Sequence, residues 1–163
     1  RGATRQAAEN GKVIVVAAGN QGDRQDSSIY SYYAQSEHVI SVGAYDNNNS
    51  PENRADDEIW NLSSPGSARY HPDVVAQGVM VPSSVSPENP SKSGTSYAAP
   101  FVSGAIANML DHNPRLSFNQ IKTMVQGTAH PLEDVSKELQ GQGRIDAVRL
   151  IELASASAKA DRS

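Results

Sequence analysis

Residues 91–110 run from a small polar turn, Ser91-Lys92-Ser93-Gly94-Thr95-Ser96, straight into Tyr97-Ala98-Ala99-Pro100-Phe101-Val102-Ser103-Gly104-Ala105-Ile106-Ala107-Asn108-Met109-Leu110. Such a run of small and apolar residues predicts a buried helix from about Ser96, with the turn delivering a side chain to its start. Pro100 falls early in that helix, where a missing N–H costs least. Ser96 then sits where unpaired N–H groups and the positive end of the helix dipole converge. A serine held there can attack a carbonyl while the same N–H groups stabilise the oxyanion.

Two other chemistries compete for the segment. Thr95 or Ser96 can simply cap the helix by bonding its first-turn N–H groups. Lys92-Ser93-Gly94-Thr95-Ser96 also has the look of a phosphate-binding loop, but that motif needs Gly directly before its Lys, and Ser91 stands there. The phosphate loop fails; the cap and the nucleophile stay open on these residues alone.

With 163 residues, one domain with a sizeable core is expected. A hydrophobic fraction of 37% and a net charge of -4 fit a globular chain and argue against nucleic acid as a partner. No apolar run reaches membrane-spanning length. The absence of cysteine excludes disulfides, a thiolate nucleophile and a cysteine zinc site. The chain opens on Arg1-Gly2, without an initiator Met or a signal peptide, and reads as a processed product or an excised piece.

Residues 1–10 predict the last turns of an amphipathic helix, stopped by Gly11. Residues 13–18 are apolar on both faces and predict a buried parallel strand. It ends in Gly19-Asn20, at the end where open α/β sheets place their ligands, although on these residues alone a turn Asn is the commoner explanation. A polar loop over 21–36 leads to a second strand at 39–44, and residues 45–58 predict an exposed excursion. Its Asp46, Asp56, Asp57 and Glu58 could offer oxygens to a cation, but without regular ligand spacing. Short strands are expected at 59–62 and 79–84. Ser117 with Gln120 makes a capping box for a helix to about Gln126. Residues 131–142 read as a polar connection, and 141–147 enter a last helix with Val148, Ile151 and Leu153 apolar. One domain is expected over 1–154, with a loose tail at 155–163.

Taken whole, Ser93-Gly94-Thr95-Ser96-Tyr97-Ala98-Ala99-Pro100 resembles the nucleophile segment of the subtilisin-like serine proteases. The family usually has His after the Pro, where this chain has Phe101; that His is not the triad base. Val15-Val16-Ala17-Ala18-Gly19-Asn20 resembles the family's oxyanion-hole segment. Tyr32-Tyr33-Ala34 resembles a pocket-wall segment that usually reads Tyr-Pro-Ala, and the stretches 71–79 and 141–147 resemble two further family segments. Where the family has Ala-Pro-Gly, this chain has Ala76-Gln77-Gly78. The resemblance implies an α/β fold with a parallel sheet flanked by helices, of which this chain is the C-terminal half. It implies Ser96 as nucleophile and Asn20 as oxyanion donor in a secreted or extracytoplasmic bacterial endopeptidase acting on polypeptides. Ala17, Ala18, Gly19, Ser31, Tyr32 and Thr95 are the implied substrate-binding residues, with the pocket walled by 17–19 and roughly 30–34. Ser31 at the pocket floor, where Gly is common, implies a preference for small or medium uncharged residues before the cut bond. Calcium is an implied candidate cofactor, with no residue set assigned to it.

A serine nucleophile needs a base and a carboxylate to orient it. None of His38, His71, His112 and His130 lies in a His-Gly-Thr setting, and no Asp precedes Thr-Gly or Ser-Gly. In the family the triad runs Asp, His, Ser along the chain. The expected partner is therefore an N-terminal half carrying the catalytic Asp and His, without which this chain is inactive. The rival expectation is a non-catalytic pseudoprotease or binding scaffold of the same fold.

Overall fold

The computed structural model describes residues 2–23, 31–82, 84, 88 and 90–160. A first helix, α1 (Gly2–Glu9), ends where expected: Gly11 takes φ +69, a left-handed value that glycine adopts without penalty. Strands β1 (Val15–Ala17), β2 (Ile40–Asp46), β3 (Glu58–Ile59) and β4 (Val74–Gln77) form one sheet. Strand β2 is its centre. It pairs in parallel with β1, Val15 opposite Ile40, and with β4, Val42 opposite Val74; the short β3 is antiparallel to its end.

Alternation along β2 separates the two faces. Ile40, Val42 and Ala44, with Val74 and Ala76 of β4, turn one face into the core. Onto it pack α2 (Thr95–His112), α3 (Phe118–Thr128) and α5 (Ala147–Ala160) through Val102, Ile106, Met109, Ile121, Val125, Leu150 and Ala154. The fold is thus α/β, a mostly parallel sheet with helices packed on it, and a partial domain. A small ribbon, β5 (Val81–Pro82) with β6 (Ser91–Lys92), leads into α2; a single helical turn, α4 (Lys137–Gln140), precedes α5.

Helix α3 has the expected capping box: Ser117 Oγ accepts the Gln120 N–H, and the Gln120 side chain accepts the Ser117 N–H at 2.9 Å. Asp73, just before β4, ties the amino ends of the sheet to α3. Its carboxylate accepts from the Ser41 N–H at 2.8 Å, from Lys122 Nζ at 3.0 Å and from Gln126 Nε2 at 2.7 Å.

Four local expectations need correction, the first being the strand expected at 59–62, which is instead β3 over Glu58–Ile59. The tail expected from Ser155 is instead helical through Ala160, because Ala154 and Ala158 are buried and Ser157 Oγ accepts a bond from Asn113 Nδ2; residues 161–163 lie outside the described set. The strand expected at 79–84 is shorter, Val81–Pro82, and Ser83 is not among the described residues. Met80 takes φ +51 there, while the β4 strand precedes it at 74–77. The polar connection at 131–142 contains a helical turn, α4. In the excursion after β2, Asp57 is buried against Arg144, which also lies over the Tyr45 ring. Burial pushes the Tyr45 hydroxyl above its ordinary pKa and the Arg144 guanidinium below its own.

Candidate active site

Because β1, β2 and β4 are parallel, their carboxyl ends deliver Asn20 and Gly78 to the same end of the sheet, where α2 begins. Gly78 lets the turn before α2 approach: its carbonyl accepts the Gly94 N–H at 2.7 Å, and a Cβ there would lie 2.6 Å from the Ala44 Cβ. Ser93 Oγ holds the turn from the other side by accepting the Met80 N–H.

Helix α2 starts with Thr95, so Ser96 is its second residue, and neither hydroxyl serves as the cap. The capping alternative is replaced by a bond from far away. Asn20 Oδ1 accepts the Thr95 N–H at 2.9 Å and the Thr95 hydroxyl at 2.8 Å, while Thr95 Oγ1 accepts the Gly19 N–H. Since a backbone N–H can only donate, these bonds fix which end of the Asn20 amide is oxygen. Its Nδ2 is left facing the helix start, 3.3 Å from where a Cβ on Gly94 would stand. Among the described residues no acceptor engages Asn20 Nδ2, and none hydrogen-bonds the exposed Ser96 hydroxyl. Two free donors, Asn20 Nδ2 and the Ser96 N–H, thus flank a nucleophile-type side chain at the positive end of an 18-residue helix.

The turn carrying Asn20 is set by Gly19 and Ser64. Gly19 has φ +116, and a Cβ there would meet Ser64 Oγ at 2.7 Å. The buried Ser64 donates its N–H to the Gly19 carbonyl and accepts the Gln21 N–H. Sequence reasoning missed Ser64 and Gln21 because no local signal ties a serine to a turn 43 residues away.

The remaining expected residues divide. Ala18 is fully buried against Ala34, with Val16 and Tyr70 around them, and its carbonyl accepts the Ser31 N–H at 2.9 Å. That bond links Ala18 of the expected wall 17–19 to Ser31 of the expected wall at roughly 30–34, of which Tyr30 lies outside the described residues. Tyr32 and Tyr33 stand exposed beside it, ring edge to ring face at 6.0 Å. Thr95 is 1% exposed, with its hydroxyl engaged by Asn20 and Gly19.

No histidine reaches Ser96 among the described residues. His38 and His71 line a polar cavity of about 660 Å3 with Arg5, Arg69, Asp73 and Lys122. His112 Nδ1 bonds the Asn108 carbonyl at the far end of α2. His130 Nε2 lies 2.8 Å from Asp146 Oδ2, and the His130 and Arg144 backbones each donate to the other. Bonding from the Arg149 N–H, then His130, holds Asp146 below the usual carboxylate pKa. In the excursion, Asp46 accepts the Asn48 N–H and Asp56 the Ser50 hydroxyl, and no group of three or more His, Asp or Glu side chains among the described residues could hold a metal. No helix among them is long and apolar enough to cross a membrane.

Comparison with known proteins supplies the family. The Subtilase family model matches residues 1–143. Serine protease AprX of Bacillus subtilis (strain 168) is 32% identical over 89% of this chain and 36% of its own length. Subtilisin DY of Bacillus licheniformis is 39% identical over 77% of this chain and 42% of its own, and subtilisin BL of Lederbergia lenta 36% identical over 89% and 48%. The chain therefore spans less than half the length of these relatives. Among solved structures, the self-cleaved protease domain of PatA shares the fold with a TM-score of 0.73 at 22% identity, covering 95% of this chain and 54% of that one. On these matches and on the shared fold, this chain belongs to the subtilase family of serine proteases.

Proposed function

We propose that this chain supplies the Ser96 nucleophile and the oxyanion donors of a serine endopeptidase that cleaves polypeptides. The triad His and Asp come from a segment outside residues 1–163, and the chain alone is inactive. The observation that carries this reading is the orientation of the Asn20 amide, whose oxygen is committed to Thr95 so that its nitrogen is free to donate beside Ser96.

The chemistry then follows the general acid–base scheme. The supplied His accepts the Ser96 proton as Oγ attacks the scissile carbonyl. Asn20 Nδ2 and the Ser96 N–H hold the oxygen that becomes negative. Collapse of the tetrahedral intermediate breaks the C–N bond, the His returns the proton to the departing amine, and water later releases the acyl group. Losing one oxyanion donor costs about 100- to 1000-fold in turnover, the magnitude measured for such a donor in a subtilisin.

Residue preference follows from the wall that Ser31 and Ala18 join. The Ser31 hydroxyl adds bulk and no charge, which favours small or medium uncharged residues before the cut bond over Arg or Trp. Kinship with bacterial subtilisins supports an extracytoplasmic bacterial enzyme. Fluorophosphonate labelling tests the central reading. Label on Ser96 is expected when the rest of the domain is present and not with this chain alone. Ser96→Ala should abolish it, and a whole domain that takes no label would leave a non-catalytic scaffold.

A further inference from the structure

The polar cavity of about 660 Å3 is built on the residues that enter β2 and β4, toward the amino ends of strands whose carboxyl ends carry Asn20 and Gly78. Residues 34–38 and Ser41 line it from the β2 side and residues 69–71 with Asp73 from the β4 side; Arg5 of α1 and Lys122 of α3 complete it. Neither Asn20 nor Ser96 borders it. Its volume falls among those of small-molecule sites, about 300–1,000 Å3, and far exceeds the roughly 30 Å3 that one water occupies.

The charged groups around this cavity are unequally spent. Asp73 is buried and accepts from the Ser41 N–H, the Ser41 hydroxyl, Lys122 Nζ and Gln126 Nε2, which fills the roughly four acceptor places of a carboxylate. Lys122 also donates to the Val39 carbonyl at 2.8 Å and the Glu37 carbonyl at 3.4 Å, so its three N–H groups are taken. The pair is closed on itself. The Glu37 side chain, 87% exposed, faces solvent. Arg69 differs. Its guanidinium carbon lies 5.1 Å from the centre of the Tyr70 ring, and among the described residues nothing accepts from its N–H groups. The Tyr70 hydroxyl has no partner among them either. Arg5 is held through Nε to Glu9 alone, in a pair exposed on both sides and therefore weak.

We propose that this cavity binds a small polyvalent oxyanion, a phosphate ester or a polycarboxylate, through Arg69, Arg5 and the Tyr70 hydroxyl. The groups left without partners are donors, two of them permanently charged, whereas the one buried carboxylate has no acceptor place left for a cation. A guanidinium presents its N–H groups as a planar fork that matches two oxygens of a phosphate or carboxylate. The Tyr70 ring covers one face of Arg69, which steadies the fork without using its N–H groups. The site is independent of the catalytic reading, since it uses neither Ser96 nor the segment that would supply the triad base.

Isothermal titration of the full-length protein with pyrophosphate and with citrate, at an ionic strength held constant with sodium chloride, tests the proposal. One site per chain is expected for at least one of them, and the tighter ligand tells phosphate from carboxylate chemistry. Arg69→Gln should weaken binding about tenfold or more, through loss of a charge-assisted pair. Arg149→Gln removes the same charge from an exposed position on α5 and should bind as the parent does. If Arg69→Gln fails to fold by circular dichroism, Tyr70→Phe serves, since it keeps the ring against Arg69 and removes only the hydroxyl; a loss of about threefold is expected. No binding of either anion at millimolar concentration overturns the site. Equal weakening by Arg69→Gln and Arg149→Gln also overturns it, because bulk charge would then account for the binding. A polyglutamate peptide that binds where neither small anion does would replace it with a site for an acidic polypeptide.

Discussion

Strands β1 and β2 lie side by side and are both apolar, yet they end in different surroundings. Ile40, Val42 and Ala44 of β2 are fully buried, whereas Val15, Val16 and Ala17 of β1 all keep partial exposure. Helix α2 repeats the contrast across its own width, with Met109 at 0% exposure and Phe101 at 49%. Apolar sequence in excess of the burial a chain can give it marks the surface where something else belongs. The excess here gathers on elements that lead into Asn20 and follow Ser96.

The sharpest way to break that comparison is to make the same truncation on both sides of it. Ile40→Ala, in the covered core, should cost about 2–5 kcal/mol in urea unfolding of the isolated chain. Ile14→Ala, just before β1 and only partly buried, should cost about 1 kcal/mol. Equal losses would show that β1 is as fully packed as β2. With the rest of the domain bound, the Ile14 cost should rise towards that of Ile40.

Thr95→Val comes next. It keeps the shape but removes one of the two donors to Asn20 Oδ1 and the acceptor for the part-buried Gly19 N–H, at a cost of about 1 kcal/mol. In the proposed complete enzyme it should lower kcat more than it changes KM, because the Asn20 amide, held by the Thr95 N–H alone, can turn more readily. Thr95→Ser should restore both, and an unaffected Thr95→Val enzyme would detach Thr95 from the site.

A smaller effect of opposite sign is expected on the open side of α2. Gly104→Ala should stabilise the isolated chain by about 0.5–1 kcal/mol, since a methyl there meets open space. Destabilisation, read by thermal unfolding, would mean that the space is already filled.

The smallest effect concerns pH. Asp146 is held below its ordinary pKa when folded, so its contribution to stability is present above the unfolded value near 3.8 and is lost as pH falls through the lower folded value. Asp146→Asn should therefore flatten the stability profile below about pH 4 and leave Asn20 and Ser96 untouched. Unfolding curves at several acidic pH values check it.

Much of the molecule was legible locally. Gly11 stopped α1, Ser117 and Gln120 capped α3, and the apolar run after Ser96 became the central helix, because each signal acts within a turn of the residue that carries it. The residue types at Asn20 and Ser96 were equally plain in the chain. Sequence could not say that Thr95 would hold the Asn20 amide, or that Ser64 would fix the turn at Gly19, since these bonds join residues 75 and 43 positions apart. Nor did the polar, alanine-rich end of the chain announce a helix; α5 continues to Ala160 because Ala154 and Ala158 find buried places and Ser157 meets Asn113. Local sequence determined most of the elements and where the candidate side chains Asn20 and Ser96 stand along them. Only the parallel pairing of β1 and β4 with β2 decided which of those side chains would meet, because contact across the sheet depends on the positions of backbones that share no neighbours in sequence.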